Sequence, residues 1–280
     1  MLIHNYTSHA KINLGLQVLN KREDGYHNLH SHFLEIDLSD ELQFKESSEF
    51  KLSVEGADLS PDKNNLISKA YRLIRSKVKN VSTDYAIHLK KIIPIGGGLG
   101  GGSSNAAVTL RTLNQLWKLN LTSDKLKNMG KYLGADTPFF IKGGLQLVEG
   151  MGDNLTPINP IPIKDLQFLL VIPPFYISTS WAYKALNKTL QPDKSQPKFP
   201  PLSEPMKWEL FDNDFERVIH ETYPEIREIK VKLQNSGALY AGLSGSGSTV
   251  FGVFDNLQKA ESILEQFVQY QTFLTSPVFR

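Results

Sequence analysis

The stretch PIGGGLGGGSSNAA, Pro94 to Ala107, has six glycines in the seven positions from Gly96 to Gly102, followed by two serines and a run of small residues. Before it, DYAIHLKKIIP reads as a strand ending at Pro94. After it, Ala106, Leu110, Leu113 and Trp117 recur at helical spacing. The glycines therefore join a strand to a helix, a place where a flexible connector is out of keeping even though its composition would allow one. Gly96, Gly98 and Gly101 match G-x-G-x-x-G, yet the acid that a dinucleotide fold sets about 20 residues on is missing, since Asp124 falls at a helix start. Gly97, Gly102 and Ser103 imitate the Walker loop without its lysine. What remains is a loop whose bare N–H groups, with the positive end of a helix starting near Ser103, wrap an anion that glycine lets approach closely. Cationic help must then come from a metal ion or a remote lysine.

Outward from the loop, Lys11 to Leu19 alternates, with Ile12, Leu14, Leu16 and Val18 on one side and Lys11, Asn13, Gly15 and Gln17 on the other. This predicts a half-buried strand with Lys11 and Asn13 on one face. An Asp24–Gly25 turn follows, Tyr26 and His27 stand just past it, and Leu34, Ile36 and Leu38 resume the alternation. LISKAYRLIRSKV makes an amphipathic stripe with Asn64 and Asn65 as candidate caps. LTSDKLKNMGKYL is a short helix capped by Thr122 or Ser123, and LGADTPFF restarts the chain with Asp136 two residues before Pro138.

Pro157, Pro160 and Pro162 mark a boundary near residue 155, dividing the chain into residues 1–155 and 156–280. The second half opens on the strand LQFLLVI, continues with a helix from STSWAYKAL, and then makes a proline-rich excursion from Gln191 to Pro205. PEIREIKVKLQNSG predicts a helix closed by Gly237. ALYAGLSGSGSTVFGVF reads as strand, Gly/Ser loop, strand, and NLQKAESILEQFVQY as an amphipathic helix packing Leu257, Ala260, Leu264 and Phe267.

The 280 residues carry 31 basic and 29 acidic side chains, for a formal charge of +2, with no Lys/Arg run to grip nucleic acid or a charged membrane. A small-molecule partner is expected. No cysteine is present, which removes disulfides, thiolate metal sites and cysteine nucleophiles and is compatible with a reducing compartment. The start MLIHNYTSHAKINLGL reads straight into a strand and no apolar run approaches a membrane span, so a cytoplasmic protein is expected. The seven histidines form no H-E-x-x-H spacing, and no protein-ligated metal is expected.

The loop with Ala106 and Ala107 resembles the ATP loop of the GHMP superfamily, the galactokinase, homoserine kinase, mevalonate kinase and phosphomevalonate kinase group. AKINLGLQVLNKREDGYHNL, NNLISKAYRLI, LGADTPFF and LSGSGSTVFGVF look like the motifs of its 4-diphosphocytidyl-2-C-methyl-D-erythritol kinase family, in the same order and spread from residue 10 to residue 254. The resemblance implies a two-domain α+β fold, its N-terminal half like a ribosomal-protein domain and its C-terminal half ferredoxin-like. It implies ATP as phosphoryl donor, magnesium carried with ATP, and a small substrate bearing a cytidine diphosphate group whose 2-hydroxyl is phosphorylated. A sibling activity on homoserine or mevalonate, or a regulator that binds ATP without turning it over, are the alternatives.

By resemblance, Asp136 is the catalytic base and Lys11 its partner that stabilises the phosphoryl charge. On sequence alone Asp136 reads equally as a helix N-cap, and Lys11 as a solvated strand lysine. ATP contacts are expected from Pro94, Ile95, Gly96, Gly97, Gly98, Leu99, Gly100, Gly101, Gly102, Ser103 and Ser104, with Asn65 at the adenine or simply a cap. Substrate contacts are expected from Asn13, which reads equally as a hydrogen bond to a neighbouring strand, and from Tyr26 and His27, the tyrosine reading otherwise as packing on the sheet. They are expected too from Tyr183, which at a helical position also reads as core, and from Gly245 and Ser246 in the last motif, which by itself also reads as a tight hairpin.

Overall fold

The computed structural model describes residues 2–23, 25–78, 83–187, 202 and 205–279. Asp24 of the expected turn, and the proline-rich excursion apart from Leu202 and Pro205, lie outside them. The elements run β1 (Ile3–Lys21), β2 (His27–Ser47), β3 (Lys51–Glu55), α1 (Leu66–Arg75), β4 (Asp84–Lys90), α2 (Gly101–Leu116), α3 (Ser123–Lys131), α4 (Thr137–Lys142), β5 (Leu145–Gly150) and β6 (Asn154–Pro157). They continue with β7 (Gln167–Ile172), α5 (Thr179–Asn187), α6 (Glu216–Thr222), α7 (Pro224–Asn235), β8 (Tyr240–Leu243), β9 (Val250–Phe254), α8 (Leu257–Glu261) and β10 (Gln271–Thr275). No helix among the described residues is long and apolar enough to cross a membrane.

The chain forms two compact units that interleave along the sequence, with β1 and β2 contributing to both. The first takes Met1–Ala10, Leu38–Ile95 and Gly100–Gly143. In it the later part of β2 pairs antiparallel with β4, from Glu41 opposite Lys90 to Ser47 opposite Asp84, and β3 runs parallel to β4. The stripe of α1 buries Ile67, Ala70 and Ile74, and α1 packs against α2, which in turn meets α4. Asn65 caps α1 by accepting the Ile67 N–H at 3.0 Å, and Thr122 caps α3 by accepting from Lys125, which satisfies donors that a helix start leaves orphaned.

The second unit takes Lys11–Asp37, Gly96–Leu99 and Gly144–Arg280. The early part of β2 pairs with β5, from Leu29 opposite Gly150 to Leu34 opposite Leu145, and β5 pairs with β6. A separate antiparallel sheet has the order β10-β7-β9-β8, and α7 lies against β8 and β9. Its core gathers Leu169 and Val171 of β7, Phe254 of β9, Ile226, Ile229 and Leu233 of α7, and Phe267. Because β7 has a neighbour on both sides and its residues Phe168 to Ile172 are all buried, it reads as a continuous apolar run, which is why LQFLLVI was legible.

Two expectations are corrected. The helix expected from Asn256 to Tyr270 is broken: α8 stops at Glu261, a 3₁₀ turn covers Leu264–Phe267, and Leu257 is exposed while Ala260 and Phe267 are buried. Ser262 turns its hydroxyl back onto the Lys259 carbonyl at 2.8 Å, supplying the backbone with an alternative to another helical turn. The strand from Lys11 to Leu19 is buried on both faces rather than one, including Lys11, Asn13 and Gln17. Short elements β3, β5, β6 and α6 had no periodic signal long enough to predict them.

Candidate active site

In the second unit the first half of the glycine loop is held by backbone and hydroxyl groups from two directions. Lys11 N–H donates to Leu99 O at 3.0 Å, Thr249 N–H to Gly97 O at 3.2 Å, and Ser244 Oγ to Gly98 O at 3.0 Å. Gly98 has φ +79°, and a Cβ there would lie 2.1 Å from Ser244 O, so no other residue fits. The SGSGS motif is thus no isolated hairpin: it is docked on the loop. Leu99 is buried and plugs the turn, while Ile95 is exposed and Pro94 half-buried.

Beside this contact lies the polar face of β1. Lys11 Nζ donates to Asn13 Oδ1 at 2.6 Å, Asn13 Nδ2 donates to Ser31 Oγ at 3.0 Å, and Ser31 Oγ donates to Gly15 O at 2.6 Å. The ammonium also sits 4.7 Å above the Phe33 ring centre, where the ring's negative face favours a cation. Lys11 is 3 % exposed, so a solvated lysine is excluded, and its placement inside a polar chain fixes the direction of its charge. A Cβ on Gly245 would come within 3.5 Å of Asn13 Oδ1 and 3.6 Å of Gly98 O. Lys11, Asn13, Gly97, Gly98 and Gly245 therefore share one locality. Ser246 is buried and its hydroxyl meets Thr179 Oγ1 at 2.9 Å.

The same unit places the aromatic candidates. Tyr26 is 67 % exposed. His27 is buried and stacks on Tyr183 with ring centres 6.0 Å apart and planes 22° from parallel, and Tyr183 meets Phe215 edge-on. Burial, with Lys21 nearby, holds the His27 pKa below its ordinary value, so the imidazole is neutral near pH 7 and offers one donor and one acceptor.

In the first unit, α2 begins at Gly101 with Gly100 as N-cap at φ +70°, no side-chain cap and no acid in its first turn. Its first N–H groups and dipole are thereby left for an anion. The segment leading to Asp136 packs against this helix start. A Cβ on Gly134 would lie 3.0 Å from Ser103 Oγ and 3.3 Å from Thr137 Oγ1. Asp136 itself occupies the N-cap of α4 without capping it: its backbone is already helical at φ −85°, ψ −11°, and Pro138 removes an N–H that a cap would satisfy. The N-cap alternative for its carboxylate is thus set aside. Ser104 accepts from Ser8 Oγ at 2.8 Å, and Gly102 faces the Leu66 side chain. Asn65 spends its oxygen on the α1 cap and one amide hydrogen on Ser60 O.

Sequence reasoning missed Asn213. Its Nδ2 donates to Leu243 O at 2.8 Å and Gly245 O at 2.9 Å, and its oxygen accepts from Phe215, which pins the SGSGS loop. DNDFE reads locally as turn-formers and a helix start, and only the fold brings residue 213 to residue 245. Ser31 was missed for the same reason.

Two family models match the chain, the GHMP kinases N terminal domain over residues 65–144 and the GHMP kinases C terminal domain over residues 196–271. A 4-diphosphocytidyl-2-C-methyl-D-erythritol kinase from Prosthecochloris aestuarii is 42% identical over 92% of this chain and 92% of its own length. One from Chlorobium phaeobacteroides is 39% identical over 97% and 94%. A crystal structure of 4-(cytidine 5'-diphospho)-2C-methyl-D-erythritol kinase aligns with a TM-score of 0.80 at 28% identity, covering 98% of this chain and 99% of that one. Homoserine kinase from Cytophaga hutchinsonii, at 17% identity and a TM-score of 0.67 over 98% and 95%, shares the fold.

Proposed function

The chain belongs to the 4-diphosphocytidyl-2-C-methyl-D-erythritol kinase family of the GHMP kinases, and from that premise we propose that it transfers the γ-phosphoryl group of ATP to the 2-hydroxyl of 4-diphosphocytidyl-2-C-methyl-D-erythritol in non-mevalonate isoprenoid precursor synthesis. The observation that carries the chemistry is the buried Lys11–Asn13 pair beside a glycine loop docked on SGSGS. An alcohol kinase must hold donor and acceptor in line, stabilise charge on the transferring group and accept one proton.

In this reading the substrate hydroxyl oxygen bonds to the γ-phosphorus while the bond to the β,γ-bridging oxygen breaks. ADP leaves with the electron pair, and the hydroxyl proton passes to the Asp136 carboxylate. Lys11 offsets the negative charge on the transferring oxygens, and Asn13 aims it. The N–H groups of Gly96 to Gly102 and the start of α2, with the Ser103 and Ser104 hydroxyls, cradle the phosphates. Pro94 and Ile95 line the loop's entry, and Leu99 anchors it. Asn65 keeps one lone pair and one amide hydrogen for adenine. Tyr26 offers a face to the cytosine, and His27, held by Tyr183, reads its edge, a stack contributing about 1–3 kcal/mol. Gly245 and Ser246 meet the substrate from the SGSGS loop.

Magnesium accompanies ATP. It would be held largely through the phosphate oxygens it arrives with. A boundary near residue 155 is compatible with the two family matches, which leave residues 145–195 between them. ATP as donor supports a cytoplasmic setting.

The test is ADP release with 4-diphosphocytidyl-2-C-methyl-D-erythritol, homoserine and mevalonate as acceptors. Release with the first alone is expected. Release with another acceptor instead assigns a sibling kinase, and release with none leaves an ATP-binding regulator.

A further inference from the structure

The first compact unit contains a buried ion pair that the reaction itself does not use. Asp40, in β2, is fully buried, and Lys91, just past β4, is nearly so. Each Asp40 oxygen is saturated. Oδ1 accepts the Ile92 N–H at 2.7 Å and the Ile93 N–H at 2.8 Å, with Lys91 Nζ at 3.1 Å; Oδ2 accepts from Lys91 Nζ at 2.9 Å and from Asn105 Nδ2 at 3.0 Å. Lys91 Nζ also donates to Ile93 O, and its ammonium lies where a Cβ on Gly101 would be 3.1 Å away.

A buried ion pair recovers its desolvation cost only when further hydrogen bonds complete it, and is weak evidence for stability alone. What matters is the atoms it grips. Ile92 and Ile93 lead into Pro94, and Asn105 lies in the first turns of α2, so one carboxylate pins both ends of the span from Pro94 to Ser104. That span contains six glycines and would lose more backbone freedom on binding an anion than any other stretch of its length in this chain. Fixing its ends beforehand removes part of that cost before the ligand arrives.

We propose that Asp40, with Asn105, is the positioning group of the nucleotide loop, setting ATP affinity by holding both ends of the glycine run in the phosphate-binding arrangement. This rests on the reading of the loop as an ATP cradle. The grip, rather than the charge, carries the effect. Asn105 Oδ1 has no hydrogen-bond partner, so an amide at position 40 whose partner lysine is also removed has a place to donate.

The experiment compares two double variants of the full chain, neither with a buried charge. Asp40→Asn with Lys91→Met retains an oxygen for both N–H groups and an amide hydrogen for a flipped Asn105. Asp40→Ala with Lys91→Met retains neither. Calorimetric titration with ATP and magnesium chloride, without acceptor, is expected to find the first within about 3-fold of wild type and the second weaker by at least about 10-fold, with affinity for the cytidylyl substrate equal in both. Wild-type ATP affinity in the alanine variant overturns the proposal, as does an equal loss for both ligands. Should the alanine variant not fold, Asn105→Ala replaces it: weaker ATP binding with unchanged cytidylyl affinity supports the proposal, and unchanged ATP binding overturns it. If the wild type binds ATP but neither binds nor phosphorylates the cytidylyl compound, the functional reading falls while the ATP comparison still decides this one.

Discussion

Lys11 and Asn13 lie two residues apart on one face of β1, and the Lys11 ammonium donates to the Asn13 amide oxygen at 2.6 Å while both side chains are buried. A strand that looks half-polar in sequence is therefore buried on its polar face too, and a charge kept there must have a direction. Lys11→Met preserves the stem over Phe33 and removes only the ammonium. It is expected to lower the turnover number by about 100-fold or more at saturating substrates, the range for losing a positioned charge. The Asn13 oxygen loses its donor, which costs about 1–3 kcal/mol by urea denaturation. Undiminished turnover would remove Lys11 from the chemistry.

Asp136→Asn tests the base. Asparagine keeps the shape and one acceptor oxygen of the carboxylate, so the melting temperature should stay within a few degrees of wild type while turnover falls by about 100-fold or more. A large loss of stability with proportionate loss of activity would make Asp136 structural.

Gly98→Ala and Gly237→Ala share a positive φ and differ in surroundings. At Gly237, φ +92°, nothing lies within 4 Å of an added Cβ, so the cost is the left-handed backbone alone, about 1–2 kcal/mol. At Gly98 the Ser244 carbonyl is 2.1 Å away, and the loop must separate from SGSGS. Expected is loss of ATP binding in Gly98→Ala, measured by titration, with ATP binding retained in Gly237→Ala.

Tyr26→Ala should leave stability within about 0.5 kcal/mol, since the ring is 67 % exposed. The Michaelis constant for the cytidylyl substrate should rise by about 10-fold with that for ATP unchanged, as expected from a lost stack. Equal changes in both constants would place Tyr26 outside the base pocket.

His32 is buried beside Phe211, and burial, reinforced by His30, pushes its pKa down to about 4. A histidine depressed in the folded state contributes stability above its unfolded pKa of about 6.5 and loses it as pH falls toward the folded value. The window is pH 6.5 to 4. About 2 kcal/mol should disappear between pH 7 and pH 5 from this residue alone, and His32→Gln should remove that share of the pH slope. The same slope in both proteins, read from urea midpoints, would show that His32 is not the titrating group.

Much of the site was legible because local chemistry wrote it. Six glycines between a strand and a helix required positive φ and close approach, and Gly96, Gly98 and Gly100 adopt it. Asn65 and Thr122 cap the helices that their positions implied. The helix expected from Asn256 to Tyr270 failed because periodicity records which faces are apolar and does not record where a hydroxyl diverts the backbone.

The sequence by itself determined the mixture of elements, the anion-binding character of the glycine loop and the sharing of a face by Lys11 and Asn13, all properties carried by residues within a turn or two of one another. The tertiary structure alone decided that this face is buried, that Gly98 touches Ser244, that Asn213 holds Gly245, and that Asp40 grips both ends of the loop. Those partners are 32 to 146 residues apart, and a hydrogen bond at such separation leaves no period in the chain; it is set only when packing closes water away from both groups.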